Sequence, residues 1–158
     1  MLNQTPVQIA WVTQDLDATE TMLTTLLGAK KWVRMAGVHF APESCTYRGE
    51  PADFIADISL SYAGDTQLEL IAPVSGDSIY TEFLDRCGPG LHHICIEADD
   101  VQAALDARNV EVVQRGVMPG GMEFAYVSAE QAGVPFIEIA HIPLEIRAFF
   151  DYIKQEQQ

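Results

Sequence analysis

Two segments of this chain repeat one another. Gln8-Ile9-Ala10-Trp11-Val12-Thr13-Gln14-Asp15 and His93-Ile94-Cys95-Ile96-Glu97-Ala98-Asp99-Asp100 are both alternating, strand-like runs that reach Asp at the eighth position. Both lead into a helical pattern. An internal repeat constrains the fold more than any overall composition, because two like units must bury like apolar faces. In the first half Leu16, Met22, Leu23, Leu26 and Leu27 recur at helix spacing. Asp15 or Asp17 serves as the cap, Glu20 completes a capping box with Asp17, and Gly28 is the stop. In the second half Val101, Ala104, Leu105 and Arg108 follow Asp100, and Asn109 is the stop.

After each helix the pattern turns to strands. The first half offers Lys31–Met35, Phe54–Tyr62 and Gln67–Ile71, with a hairpin turn at Ala63-Gly64-Asp65. The second offers Val110–Gln114, Glu123–Val127 and Phe136–Ile142, broken by Gly120-Gly121 and Gly133. Each half is therefore strand–helix–strand–strand–strand. The expected fold class is α+β: a single domain over residues 1–158 made of two βαβββ modules, about 5–75 and 90–143, forming an open barrel-like cleft. The stretch from Ala36 to Ala52, with two prolines and two glycines, reads as an inserted loop with no counterpart in the second half. Ile79–Arg86 makes a short connecting helix. A last helix, 144–155, carries Ile146, Phe149, Phe150 and Ile153 as an apolar stripe, which serves either packing on its own domain or a homodimer contact.

Charge narrows the partners. With 23 acidic and 9 basic residues the formal charge is −14, and Lys30, Lys31 and Arg34 are the densest basic group. A nucleic-acid partner needs many cations to displace phosphate counterions, and an anionic membrane surface needs them too. Neither is expected. Cys45, Cys87 and Cys95 form no C-x-x-C pair, so neither a disulfide scaffold nor a zinc knuckle is expected. The N-terminal residues lack a signal pattern and no run approaches a membrane span, so the expected compartment is the cytosol.

Strand period two then picks out four polar residues. Glu69 opposes Leu68 and Leu70; Glu138 opposes Ile137 and Ile139; His93 opposes Ile94; Gln8 opposes Ile9. In the repeat Gln8 matches His93, and Glu69 matches Glu138. A pseudo-twofold axis brings all four to one point. One imidazole, two carboxylates and one amide oxygen suit one divalent ion such as Mn²⁺, Fe²⁺, Co²⁺, Ni²⁺ or Zn²⁺. His92, next in sequence to His93, is expected to face the other way and to be a core or interface histidine, not a ligand.

Thr66-Gln67-Leu68-Glu69-Leu70-Ile71-Ala72-Pro73 and Gly90-Leu91-His92-His93-Ile94-Cys95-Ile96-Glu97 are the stretches that most resemble a known family. The sequence is similar to the vicinal oxygen chelate superfamily, the glyoxalase and bleomycin-resistance group, and within it to methylmalonyl-CoA epimerase-like proteins. The resemblance implies two βαβββ modules around one metal, with ligands at Gln8, Glu69, His93 and Glu138. Gln8 is a departure, since the epimerases have His there. The resemblance further implies chemistry in which the metal stabilises an enolate while a carboxylate moves a proton. Glu138 is a candidate for that role. A catalytic Glu of the epimerases falls, by ungapped counting, on Asp53, with Glu50 three residues earlier.

Tyr47 and Arg48 in the insertion are candidate substrate-binding residues, because Arg holds a carboxylate or phosphate by two hydrogen bonds. Trp32, Tyr62, Phe124 and Tyr126 are candidates for an apolar pocket, Tyr126 for substrate contact. The expected function is a metal-dependent isomerase, epimerase or lyase acting on a small carbonyl or acyl-thioester substrate. The alternatives are a metal-free sequestering protein of the bleomycin-resistance type and, last, an extradiol-type dioxygenase.

Overall fold

A computed structural model of the protein describes residues 4–158. The chain runs β1 (Pro6–Val12), α1 (Leu16–Leu27), β2 (Val33–Phe40), β3 (Cys45–Tyr47), β4 (Glu50–Pro51), β5 (Phe54–Ala63), β6 (Thr66–Ser75) and α2 (Ile79–Cys87). It continues through β7 (Gly90–Glu97), α3 (Val101–Arg108), β8 (Val112–Val117), β9 (Glu123–Ser128), β10 (Phe136–His141) and α4 (Leu144–Gln155). All ten strands form one sheet in the order β2-β5-β6-β1-β7-β10-β9-β8-β3-β4.

The repeat is visible in the register. β1 lies parallel to β6, with Ala10 opposite Glu69, and β7 lies parallel to β10, with Cys95 opposite Glu138. Ala10 and Cys95 are equivalent positions, so both halves pair their first and last strands in the same register. The halves meet where β1 runs antiparallel to β7. There Gln8 opposes Cys95, Ile9 opposes Ile94 and Ala10 opposes His93. Ile9 and Ile94 are equivalents, so a local twofold axis passes between them.

Side-chain alternation then sorts the two faces. Val12, Ile58, Leu60, Ile71, Cys95 and Ala140 share the concave core with Phe54, Phe124 and Tyr126. Ile96, Ala125, Val127 and Ile139 bury their outer face under Val101, Ala104 and Leu105 of α3. Burying such apolar area is what holds each helix to its module.

The structure revises four details of the sequence reading. The stretch from Ala36 to Ala52 is not one loop. β2 extends to Phe40, and Cys45–Tyr47 pairs with β8 of the second half, Cys45 opposite Gly116 and Tyr47 opposite Gln114. On α1 only Leu23 is buried, while Met22, Leu26 and Leu27 are exposed. Asp15 caps that helix through Ala18 N–H, with no capping box: Asp17 and Glu20 bind Arg34 instead. Finally, His92 does not face away from His93. The β1–β7 pairing slips between Ala10 and Trp11, so that Trp11 opposes Leu91 and His92 is the extra residue of a bulge.

The apolar stripe of α4 is used within its own chain. Ile153 is fully buried in the concave core and Phe149 and Phe150 pack against it. Arg147 binds Glu97, Lys154 binds Asp65, and Gln157 Oε1 accepts from the Lys30 and Lys31 amides, so the helix is held to both halves. That stripe therefore gives no ground for a dimer contact through α4. Among the described residues no helix is long and apolar enough to cross a membrane. Cys45 and Cys95 are buried and Cys87 is exposed, all three as free thiols.

Candidate functional site

The twofold axis delivers four side chains to one atom. His93 Nε2 lies 3.2 Å from Gln8 Oε1, 3.4 Å from Glu69 Oε1 and 3.5 Å from Glu138 Oε1. All four residues are buried, His93 completely. Their placement follows from strand geometry. Each projects to the concave side from the middle of a central strand, and the small Ala10 and Cys95 beside the two glutamates leave room for the carboxylates.

Two buried carboxylates repel, and each resists ionisation away from water. Burial pushes Glu69 above the usual carboxylate range, opposed by its contact with His93. Burial alone would lower the His93 imidazole, but hydrogen bonds to Glu138 and Glu69 outweigh it and raise it to about 9.

The donor set fits a divalent ion. Ligand atoms about 2.0–2.2 Å from a metal stand about 3.0–3.5 Å from one another, the separations found here around Nε2. Among the described residues, no three His, Cys, Asp or Glu side chains stand ready-made around an ion position. Glu69, His93 and Glu138 are closed on one another through Nε2. An ion would come between them, with His93, Glu69 and Glu138 as the stronger donors and Gln8 as the neutral fourth.

Residues that the sequence reading passed over hold this group in place. Gln8 Nε2 donates to Gln67 Oε1 at 2.6 Å, which turns the Gln8 oxygen toward His93. Gln67 Nε2 in turn donates to the Tyr62 hydroxyl at 3.3 Å. Gln67 sits two residues before Glu69 on the same strand face, which was the available signal. On the far side, the bulge sets His92 Nδ1 2.8 Å from His93 Nδ1. Burial holds His92 well below its ordinary range, so it is neutral.

Above the cluster lies a cavity of ≈ 70 Å³. Gln8, Gln67, Glu69 and Glu138 supply its polar lining; Met35, Leu60, Met118 and Met122 are apolar; α4 adds Ile146, Phe149 and Phe150. Glu138 is the one candidate proton carrier from the sequence that borders this space. Asp53 is exposed and bonds His39 Nε2 at 2.6 Å; Glu50 is exposed on β4. Arg48 bonds Glu82 through Nη2 at 2.5 Å and the Tyr47 hydroxyl donates to the same carboxylate, so that pair is spent on α2. Arg48 has a left-handed backbone, φ 52°, which the tight hairpin requires. Trp32 and Tyr62 do not line this cavity; Phe124 and Tyr126 border a smaller adjoining pocket of ≈ 10 Å³ that shares Glu69, Glu138, Met118 and Met122 with it. Tyr126 also packs its ring 4.9 Å from that of His93 and shares a 2.7 Å hydrogen bond with Tyr80.

Residues 7–126 match a family model described as the Glyoxalase/Bleomycin resistance protein/Dioxygenase superfamily. The uncharacterized protein YqjC of Bacillus subtilis (strain 168) is 31% identical over 88 residues, 52% of this chain and 63% of that protein. The mitochondrial methylmalonyl-CoA epimerase of Mus musculus is 44% identical over 43 residues, 27% of this chain and 24% of its own length. The match to these curated relatives thus spans less than two thirds of either. In three dimensions the crystal structure of methylmalonyl-CoA epimerase from Mycobacterium tuberculosis superposes with a TM-score of 0.60 at 19% identity, covering 94% of this chain and 97% of that one. At that identity the likeness is one of fold.

Proposed function

Since the chain belongs to the Glyoxalase/Bleomycin resistance protein/Dioxygenase superfamily, we propose that it is a metal-dependent isomerase, epimerase or lyase that moves a proton on the carbon beside a carbonyl or thioester. The observation that carries this reading is the convergence of Gln8, Glu69 and Glu138 on His93 Nε2 at the wall of a small cavity. A divalent ion held there supplies a Lewis acid that lowers the cost of negative charge on the substrate's carbonyl oxygen. Glu138 borders the cavity and carries the proton to and from the substrate carbon. Gln67 and His92 hold Gln8 and His93 in the orientation the ion needs. The methionines and the α4 side chains exclude water, which strengthens the electrostatic interactions inside. The relatives named as epimerases support this class of reaction.

The test has two parts. Protein purified without chelators is analysed for metal by mass spectrometry, before and after incubation with Mn²⁺, Co²⁺ and Zn²⁺. One equivalent is expected, and its loss in Glu69→Ala and His93→Ala. The loaded protein is then incubated in D₂O with small acyl thioesters, and deuterium at the α-carbon is read by NMR. Exchange that disappears in Glu138→Gln supports the assignment. An absence of stoichiometric metal, with none restored by Gln8→His, removes it and gives first place to a metal-free sequestering role for the same cleft.

A further inference from the structure

We infer that the cleft selects a neutral substrate bearing a small apolar group on its reacting carbon, and rejects one bearing a carboxylate there. This rests on the proton-transfer reading above and names the substrate class for the same site. Among the described residues no Lys, Arg or His lines the cavity. Apart from Gln8, Gln67, Glu69 and Glu138, its walls are apolar and include three methionines, Met35, Met118 and Met122. Thioether side chains adapt to a small aliphatic or branched group. The neighbouring cations are already paired: Arg147 with Glu97, Lys154 with Asp65, Lys31 with Glu156. Arg48, the residue the sequence offered for anion binding, is bound to Glu82.

The amide donors are committed as well. Gln8 Nε2 serves Gln67, and Gln67 Nε2 serves Tyr62. A divalent ion would be balanced by Glu69 and Glu138, leaving no net positive charge for a second anion. A substrate carboxylate placed here would leave water, find no cation and lie beside two glutamates. An apolar group meets the opposite situation, since it leaves water for an apolar wall. The volume sets its size. At roughly 10–15 Å³ of such space per water, the cavity holds on the order of five water molecules, enough for a short branched chain. A methylmalonyl group carries the excluded carboxylate on its α-carbon, so the chain's preference departs from the compound for which its named relatives are called.

Two N-acetylcysteamine thioesters, isobutyryl and methylmalonyl, test this, because they differ by methyl against carboxylate at the α-carbon. Binding to the full-length, Zn²⁺-loaded chain is measured by calorimetry and by saturation-transfer NMR at 0.15 M salt. The isobutyryl ester is expected to bind at least tenfold more tightly. Phe150→Arg places a cation in the wall contributed by α4 and is expected to narrow or reverse that ratio. Ile146→Arg repeats the experiment from a second position in case the first variant misfolds. Equal or tighter binding of the methylmalonyl ester by the unmodified chain, or no binding of the isobutyryl ester at millimolar concentration, overturns the inference. α-Deuterium exchange is read in the same samples. Preference for the isobutyryl ester without exchange keeps the selectivity and sinks the proton-transfer reading; exchange confined to the methylmalonyl ester does the reverse.

Discussion

The Nδ1 atoms of His92 and His93 lie 2.8 Å apart, so one ring donates to the other. For His93 to offer Nε2 as a ligand, its hydrogen must sit on Nδ1, and His92 must accept there. His92 then carries its own hydrogen on Nε2. That atom is buried and, among the described residues, has no hydrogen-bond partner. The rings of Tyr80, Phe83 and Phe136 pack around the His92 ring, with centroids 5.0–5.2 Å from its own. With an ion at Nε2, the bulge would thus fix the tautomer of the central histidine.

A variant at His92 reads this directly. His92→Ala is expected to lower the affinity for Co²⁺ by about 10–100-fold, the usual loss when such an outer partner is removed. His92→Asn, whose amide oxygen also accepts, recovers much of it. Competition against a chromophoric chelator gives both numbers. Unchanged affinity in the alanine variant would rule the tautomer argument out.

The amide pair on the other side predicts opposite effects. Gln8→His replaces a neutral oxygen with a better nitrogen donor and is expected to tighten Co²⁺ or Zn²⁺ binding. Gln67→Ala frees the Gln8 amide to rotate and is expected to weaken it, by less than the loss of a direct ligand. The same chelator competition decides, and weaker binding in Gln8→His contradicts the placement of Gln8 beside the ion.

Gly116 predicts a stability effect far from the cluster. A Cβ there would stand 2.5 Å from Cys45 Sγ and 2.7 Å from the Ser44 carbonyl oxygen. Gly116→Ala is expected to cost about 1–3 kcal/mol in urea denaturation, the range for overpacking. Adding Cys45→Ala should recover only the part due to sulfur, because the backbone oxygen remains. A neutral Gly116→Ala would mean that β3 does not pack on β8 in solution.

Acid stability follows from Glu82. Hydrogen bonding from Arg48 holds its carboxyl below the usual range; partial burial opposes this and the Tyr47 hydroxyl adds to it. A lowered folded value means that the stabilisation is complete above the unfolded carboxylate pKa of about 4.3 and fades as pH falls through the lower folded value. Arg48 is 52% exposed, so the interaction is worth no more than about 0.5–1 kcal/mol. Unfolding free energies of the wild type and Glu82→Gln from urea titrations should differ by that amount at pH 7 and converge toward pH 3. A gap that widens on acidification reverses the sign and rejects the account.

What the sequence disclosed depended on range. The repeat and the four polar positions were legible because alternation is local, and a glutamate between leucines stands out at period two. The side of His92 was not, because one extra residue in a strand resets the alternation and leaves no mark in composition. Cys45–Tyr47 read as loop because its partner, Gln114–Gly116, lies in the other half, and nothing local announces a pairing at that distance. The burial of α1 was overestimated for a related reason: a helix stripe reveals which residues could be covered, and the sheet beneath reaches only Leu23.

The exchange of β3 between halves has a consequence for how the chain can be divided. β8 has β9 on one side and the three residues of β3 on the other, so its outer backbone is covered by a segment made in the first half. The sheet's two open margins are β2 and the two-residue β4, which includes Pro51, a residue with no amide hydrogen to offer. Severing the chain between Gly76 and Gly90 would bare β1, β3, β7 and β8 at once. Separately expressed halves would therefore present adhesive strand edges and favour aggregation over independent folding, even though each contains a complete copy of the repeated unit.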